Sequence, residues 1–226
     1  MSVTGRARTG VLLACAAVVL VTAWYAGSRV PASAPAPAPG SVRLGPEPGE
    51  EVAAYLHRLP VELPAPGVEA LALVQFAAEL PAAAAVPAVA GTVPVTAVLR
   101  VPLPRVQTAL RFEPLEQGAP VRAALDAARQ RARETAAADA QRQTGRAAQV
   151  AAAEATALAD PAAPCVLAVV VRAQRAGLDA VAARPGVRAV QAAPAGVTAR
   201  ELALAPLLPE QVERADPPPD DGPVPS

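Results

Sequence analysis

The chain has 226 residues, and its 20 basic residues are balanced by 20 acidic ones, so no net field exists to draw nucleic acid or an anionic surface as partner. Aromatic residues make up 2% of it, too few for the stacking platforms that single-stranded nucleic acid requires. Lys, Asn and Ile are absent while Ala, Arg, Val and Pro abound, the residue usage of a GC-rich coding sequence, so alanine content alone says little about structure.

Residues 9–28 carry no charge and enclose the apolar run from Val11 to Ala26. As a helix this stretch spans about 30 Å, the hydrocarbon thickness of a bilayer, and Trp24 and Tyr25 fall where interfacial aromatics sit. Arg6 and Arg8 precede it with no acidic residue among them. The positive-inside bias therefore predicts a signal-anchor helix over 9–28, residues 1–8 as a cytoplasmic tail, and everything after Ser28 extracytoplasmic in the cell membrane. The competing reading is a cleaved signal peptide, with Val21-Thr22-Ala23 or Ala26-Gly27-Ser28 at the cleavage site. Leu12-Leu13-Ala14-Cys15 has lipobox character, but the apolar run continues well past Cys15, which favours a spanning helix.

The Pro/Ala-rich stretch within 29–49 favours extended polyproline II and predicts a stalk. An extracytoplasmic α+β domain is expected over 50–211, followed by a disordered, acidic, Pro-rich tail over 212–226. In the domain, Val52, Tyr55, Leu56 and Leu59 recur at helical spacing until Pro60. Val68–Phe76 and Val93–Val101 predict buried strands, with Pro94 tolerable at a strand start. Val106–Phe112 alternates, which places Val106, Thr108, Leu110 and Phe112 on one face and Gln107 and Arg111 on the other.

Residues 120–159 contain no proline after Pro120 and one glycine, Gly145, so a long helix is expected. Its larger apolar residues, Val121, Leu125, Val150 and Leu158, lie near the ends, and its middle is Arg/Ala-rich, which argues against a core position. Three arrangements remain open: a projecting helix, a hairpin broken at Thr144-Gly145, or a solvated helix held at its ends. In the first two, Ala128, Ala132 and Ala136 are the expected contact surface for a second copy, an envelope protein or the hairpin partner.

Cys165–Ala173 is the clearest buried strand; a short helix over 176–183, a stop at Arg184-Pro185-Gly186 and a strand over Val187–Ala192 follow. Thr198–Glu201 has the pattern of a capping box and predicts a helical turn continuing through Leu202 and Leu204. The order around Leu73–Ala77, Gly91 and Val93 repeats around Val169–Ala173, Gly186 and Val187. Two such strand-helix-strand halves predict a ferredoxin-like sandwich, with the strand at Val106 and the long helix inserted between them.

The one histidine, His57, lies beside an apolar helical stripe with no recognisable nucleophile near it. One His and one extracytoplasmic Cys, Cys165, make a poor zinc set; Cys165 is expected as a small buried apolar residue. No glycine-rich phosphate loop is present, so no cofactor is expected. Glu50 and Glu51 suit a helix start, and Asp220 and Asp221 lie in the tail.

The order of anchor, Pro-Ala stalk, Arg100-Val-Pro-Leu-Pro-Arg-Val-Gln-Thr108, Ala/Arg helix, Cys165 strand and Pro206-Leu-Leu-Pro-Glu-Gln211 resembles uncharacterised single-pass membrane-anchored proteins of high-GC Gram-positive bacteria, a likeness that implies an envelope location and no particular activity. Separately, Leu178–Gln191 is similar to the helix-turn-strand that closes subtilisin-propeptide-like inhibitor domains. The sequence thus predicts a non-enzymatic interaction or structural module at the cell envelope. Its alternatives are a protease-inhibitor-like binder and a hydrolase that uses paired carboxylates.

Overall fold

The computed structural model describes residues 38–225; the expected cytoplasmic tail, the spanning helix with Cys15 and most of the Pro/Ala stretch lie outside them. Among the described residues no helix is long and apolar enough to cross a membrane. The elements are β1 (Val42–Leu44), α1 (Val52–Arg58), β2 (Glu69–Leu80), α2 (Ala82–Ala88), β3 (Val93–Leu99), β4 (Arg111–Pro114), α3 (Val121–Arg142), α4 (Gly145–Ala157), β5 (Val166–Gln174), α5 (Arg175–Ala182), β6 (Val187–Ala192) and β7 (Leu202–Leu204). This is an α+β fold with one antiparallel sheet of five strands, in the order β4-β3-β5-β2-β6, and a parallel pair, β1-β7.

Period-two alternation makes the large sheet two-faced. Ala72, Val74 and Phe76 of β2, Ala97 and Leu99 of β3, and Val169 and Val171 of β5 point into a core shared with α2, α3 and α5. Leu71 and Leu73, Val98, and Ala168 and Val170 point the other way, where Leu44 and the partly buried Val42, Leu202 and Leu204 of the parallel pair cover them. Beside that pair, Val52, Tyr55 and Leu59 of α1 pack on Ala189 and Leu207. The second face also buries two amides, made tolerable by hydrogen bonds to their oxygens and from Gln75 Nε2: Gln75 Nε2 donates to the Tyr55 hydroxyl at 2.7 Å, and that hydroxyl donates to Gln191 Oε1 at 3.0 Å. The Leu207 and Gly45 amides donate to Gln75 Oε1 and Gln191 Oε1 at 2.7 and 2.6 Å.

Of the arrangements open for 120–159, the hairpin broken at Thr144-Gly145 is the one that forms, while other expectations need correction. The 120–159 segment is two helices that turn at Gln143-Thr144, with Gly145 at φ 60° opening α4. The Arg129 guanidinium, on α3, donates to the Leu158 carbonyl at the end of α4, so the two run antiparallel as a hairpin. The middle of α3 does belong to the core: Ala128, Ala132 and Ala136 are all 0% exposed. Their seam is therefore filled by this chain itself and offers no surface to a second copy. A methyl-sized side chain suffices because small residues let helix and sheet approach closely.

The strand expected over Val106–Phe112 forms only at β4, where Arg111 and Phe112 do take opposite faces, the arginine buried at 9% exposure and the phenylalanine exposed at 47%. The turn at Thr198 is a 3-10 helix, Ala199–Glu201, and Glu201 does reach back to the Thr198 amide at 2.6 Å, but Leu202 and Leu204 then enter β7 rather than a helix. Because β7 pairs with Val42–Leu44, the domain begins before residue 50, inside the expected stalk. At the other end, residues 213–215 pair with 49–52, and 216–222 is hydrogen-bonded along the surface where a disordered tail is expected.

Candidate functional site

A cleft of about 400 Å³ opens between the loop leading into β4, the end of α3, the start of α4 and the C-terminal segment. Its floor is built around Arg111, whose β-strand position turns it inward between the two helices of the hairpin. The guanidinium donates to Asp139 Oδ2, on α3, at 3.0 Å and to Glu154 Oε2, on α4, at 2.5 Å. Glu154 is 2% exposed, and its other oxygen accepts the Ala109 amide at 2.6 Å. Asp139 is closed from the far side by Arg142 at 2.7 Å; that contact first, then Arg111, holds its carboxyl below the usual range. Two carboxylates thus converge, but on one guanidinium and not on an open volume. Glu154 has both oxygens occupied and Asp139 is held ionised, so neither is placed to act as a general acid.

The rim is made by the C-terminal segment. Asp220 Oδ1 accepts the Gln107 amide and the Arg146 guanidinium, each at 3.0 Å. Asp221 takes both arms of the Arg105 guanidinium. Gln107 Nε2 donates to the Pro218 carbonyl at 2.6 Å, and the Gly222 amide donates to the Arg105 carbonyl at 2.7 Å. These contacts lower the pKa of both aspartates, through the Gln107 amide and then Arg146 for Asp220, and through Arg105 for Asp221. Nearby, Arg100, 5% exposed, joins Glu79 at 2.9 Å and Glu210 at 2.5 Å and so ties the end of β3 to the segment after β7.

Of the residues singled out from sequence, His57 is exposed on α1, and Glu50 is held by Arg58, which lowers its pKa. Cys165 is buried at the start of β5, and burial pushes its thiol up to about 11, the behaviour of a packed apolar residue and not of a nucleophile. Among the described residues no three His, Cys, Asp or Glu side chains are gathered so as to hold a metal ion. Arg111, Asp139 and Glu154 escape sequence reading because 28 and 43 residues separate the arginine from its partners. Asp220-Asp221-Gly222 does carry a local signal, a turn-forming glycine after two carboxylates, that composition hides. Comparisons with protein-family models, curated proteins and solved structures find no match to this chain.

Proposed function

We propose that this chain is a single-pass envelope protein whose extracytoplasmic domain, a ferredoxin-like sandwich with an inserted helical hairpin, is a binding module for an extended protein segment. The sandwich reading is supported by the two strand-helix-strand units, β2-α2-β3 and β5-α5-β6, interleaved in the order β3-β5-β2-β6, with β4 added at one edge. The anchor reading rests on residues 9–28 and the arginines before them, with the N-terminus cytoplasmic.

The observation that carries the function is the occupied rim of the cleft: an extended segment lies in a groove, held by a backbone amide, a backbone carbonyl, the Arg105 fork and single contacts from Gln107 and Arg146 side chains, the means by which peptides are recognised. The hydrolase alternative loses support because the paired carboxylates are consumed by Arg111. An enzymatic role is not part of this reading, and neither is a cofactor or nucleic acid.

The test is fractionation of the C-terminally tagged chain from its own cells. Expected are retention in the membrane until detergent is added, digestion of the domain by protease outside intact cells, and a mass in mild detergent above that of one 22.7 kDa chain. A shortened soluble product in the medium would remove the anchor, and a monomeric mass would remove the binding module.

A further inference from the structure

The segment 216–225 has the fit of a ligand and the hold of a latch. Its fit is specific at Gly222, which is buried against the chain: a Cβ there would lie 2.3 Å from the Pro104 carbonyl oxygen and 2.9 Å from Arg105 Cβ. No residue with a side chain can take this place without moving the loop. Arg105, which supplies both the carbonyl for Gly222 and the fork for Asp221, is at φ 56°, the one non-glycine residue in the left-handed region among those described. Asp220, one residue before, is read by Gln107 and Arg146. Three successive residues, Asp220-Asp221-Gly222, are thus each recognised by a different device.

The hold, by contrast, is open to water. The side chains of the Arg105–Asp221 pair are 62% and 63% exposed, and those of the Arg146–Asp220 pair 41% and 44%. Exposed pairs of this kind are screened and exchange readily. The segment is attached through Pro217-Pro218-Pro219, which favours a stiff extended arm and spends little entropy on reaching outward.

We infer that the segment is an exchangeable strap and that the groove formed by Pro104–Gln107 and Arg146 takes the Asp220-Asp221-Gly222 turn of a second copy of this chain. The inference rests on the binding-module reading and names its partner. A second copy is the occupant because the strap seated in the groove already has the needed charge pattern, glycine and leash, so the same contacts re-form between copies with no new surface. Copies anchored in one membrane meet at raised local concentration, which is what a trans strap needs to displace its cis competitor.

A charge exchange tests this in the full chain. Arg105→Asp leaves a native strap with no matching groove, and Asp221→Arg leaves a native groove with no matching strap. Each variant alone should be monomeric in detergent, whereas an equal mixture should dimerise, with association about tenfold or more stronger than in either variant alone. Adding Gly222→Ala to both chains should abolish the mixed dimer, because the mixture holds two charge-matched strap–groove pairs and each needs the glycine. Arg105→Asp and Asp221→Arg in one chain restore a charge-matched strap and groove and should return the association of the native chain, which also controls for folding. A mixture that stays monomeric up to its solubility limit, or one that dimerises despite Gly222→Ala, overturns the inference. If the mixture is monomeric while the complex recovered from cells persists, the strap exchange is wrong and the binding module stands.

Discussion

The cleft holds two sets of arginine–carboxylate contacts of nearly equal length and opposite physical character. On the floor, Arg111, Glu154 and Asp139 meet at 9%, 2% and 20% side-chain exposure. On the rim, Arg105 with Asp221 and Arg146 with Asp220 are all more than 40% exposed. Distance alone does not rank them. Charges withdrawn from water lose their hydration, so the floor contacts are obligatory once made: whichever partner is removed, the other is stranded. Rim charges keep their hydration whether or not the strap is docked, so they confer orientation and reversibility more than stability. The floor belongs to the folded domain, and the rim is where the C-terminal segment can be released without unfolding it.

The largest effect expected from this contrast is at Glu154. Glu154→Ala strands half of the Arg111 guanidinium and the Ala109 amide and should cost about 3–5 kcal/mol in urea unfolding. Replacing both partners, Arg111→Met with Glu154→Leu, should recover most of that loss, and the double-mutant cycle should show strong coupling. A cost under about 1 kcal/mol for the single change would place the floor in contact with water.

Next comes a buried group without charge. Burial raises the Tyr55 phenol from 10.0 to about 12, so its contribution is full below pH 10 and is lost as pH rises toward 12. Alkaline titration should therefore remove about 2–3 kcal/mol over that interval. Tyr55→Phe should flatten this part of the profile, and a phenol that ionises near 10 in the folded domain would contradict it.

At the rim, Gly222→Ala should leave the unfolding midpoint where it is while amide exchange at 220–222 becomes fast. A midpoint that falls with the strap would make it part of the cooperative unit. The smallest effect is set by pH. The aspartates of the strap have values lowered from the ordinary 3.8, so docking is complete above 3.8 and is lost as pH falls through the lowered values. The Gly222 amide signal should report release of the strap in that acid range with the sheet intact, and added salt should weaken docking in the same way. A strap that stays docked through it would show that the carboxylates do not hold it.

Periodicity made the core strands legible: the apolar runs that become β2, β5 and β6, and the stripe of α1, stand out because each buries larger side chains at a regular interval. It failed where burial does not depend on apolar size. Ala128, Ala132 and Ala136 carry so little transfer energy that their pattern is lost among other alanines, yet they sit at the centre of the core. At β4 the alternation separates Arg111 from Phe112 but does not say which faces inward, because Arg111 is drawn in by carboxylates on two helices that local pattern does not register, and Phe112 is left outside. The strap is hidden for a similar reason: prolines and aspartates look solvated until Arg105, Gln107 and Arg146 are brought beside them.

The pairing of β1 with β7 also sets the timing of maturation. Val42 meets Leu202, and a few residues further on the 49–52 stretch meets 213–215, so the second core is roofed by the first and last pieces of the domain. As the chain emerges in order, β2 through β6 can assemble on α2, α3 and α5, but Leu71, Leu73, Val98 and Val170 stay uncovered until residues near 202–215 arrive. Such a late closure leaves a sticky intermediate for as long as synthesis takes. The domain therefore matures only after its final residues have been delivered, and a chaperone acting on the nascent chain would find its natural footing on that bare sheet.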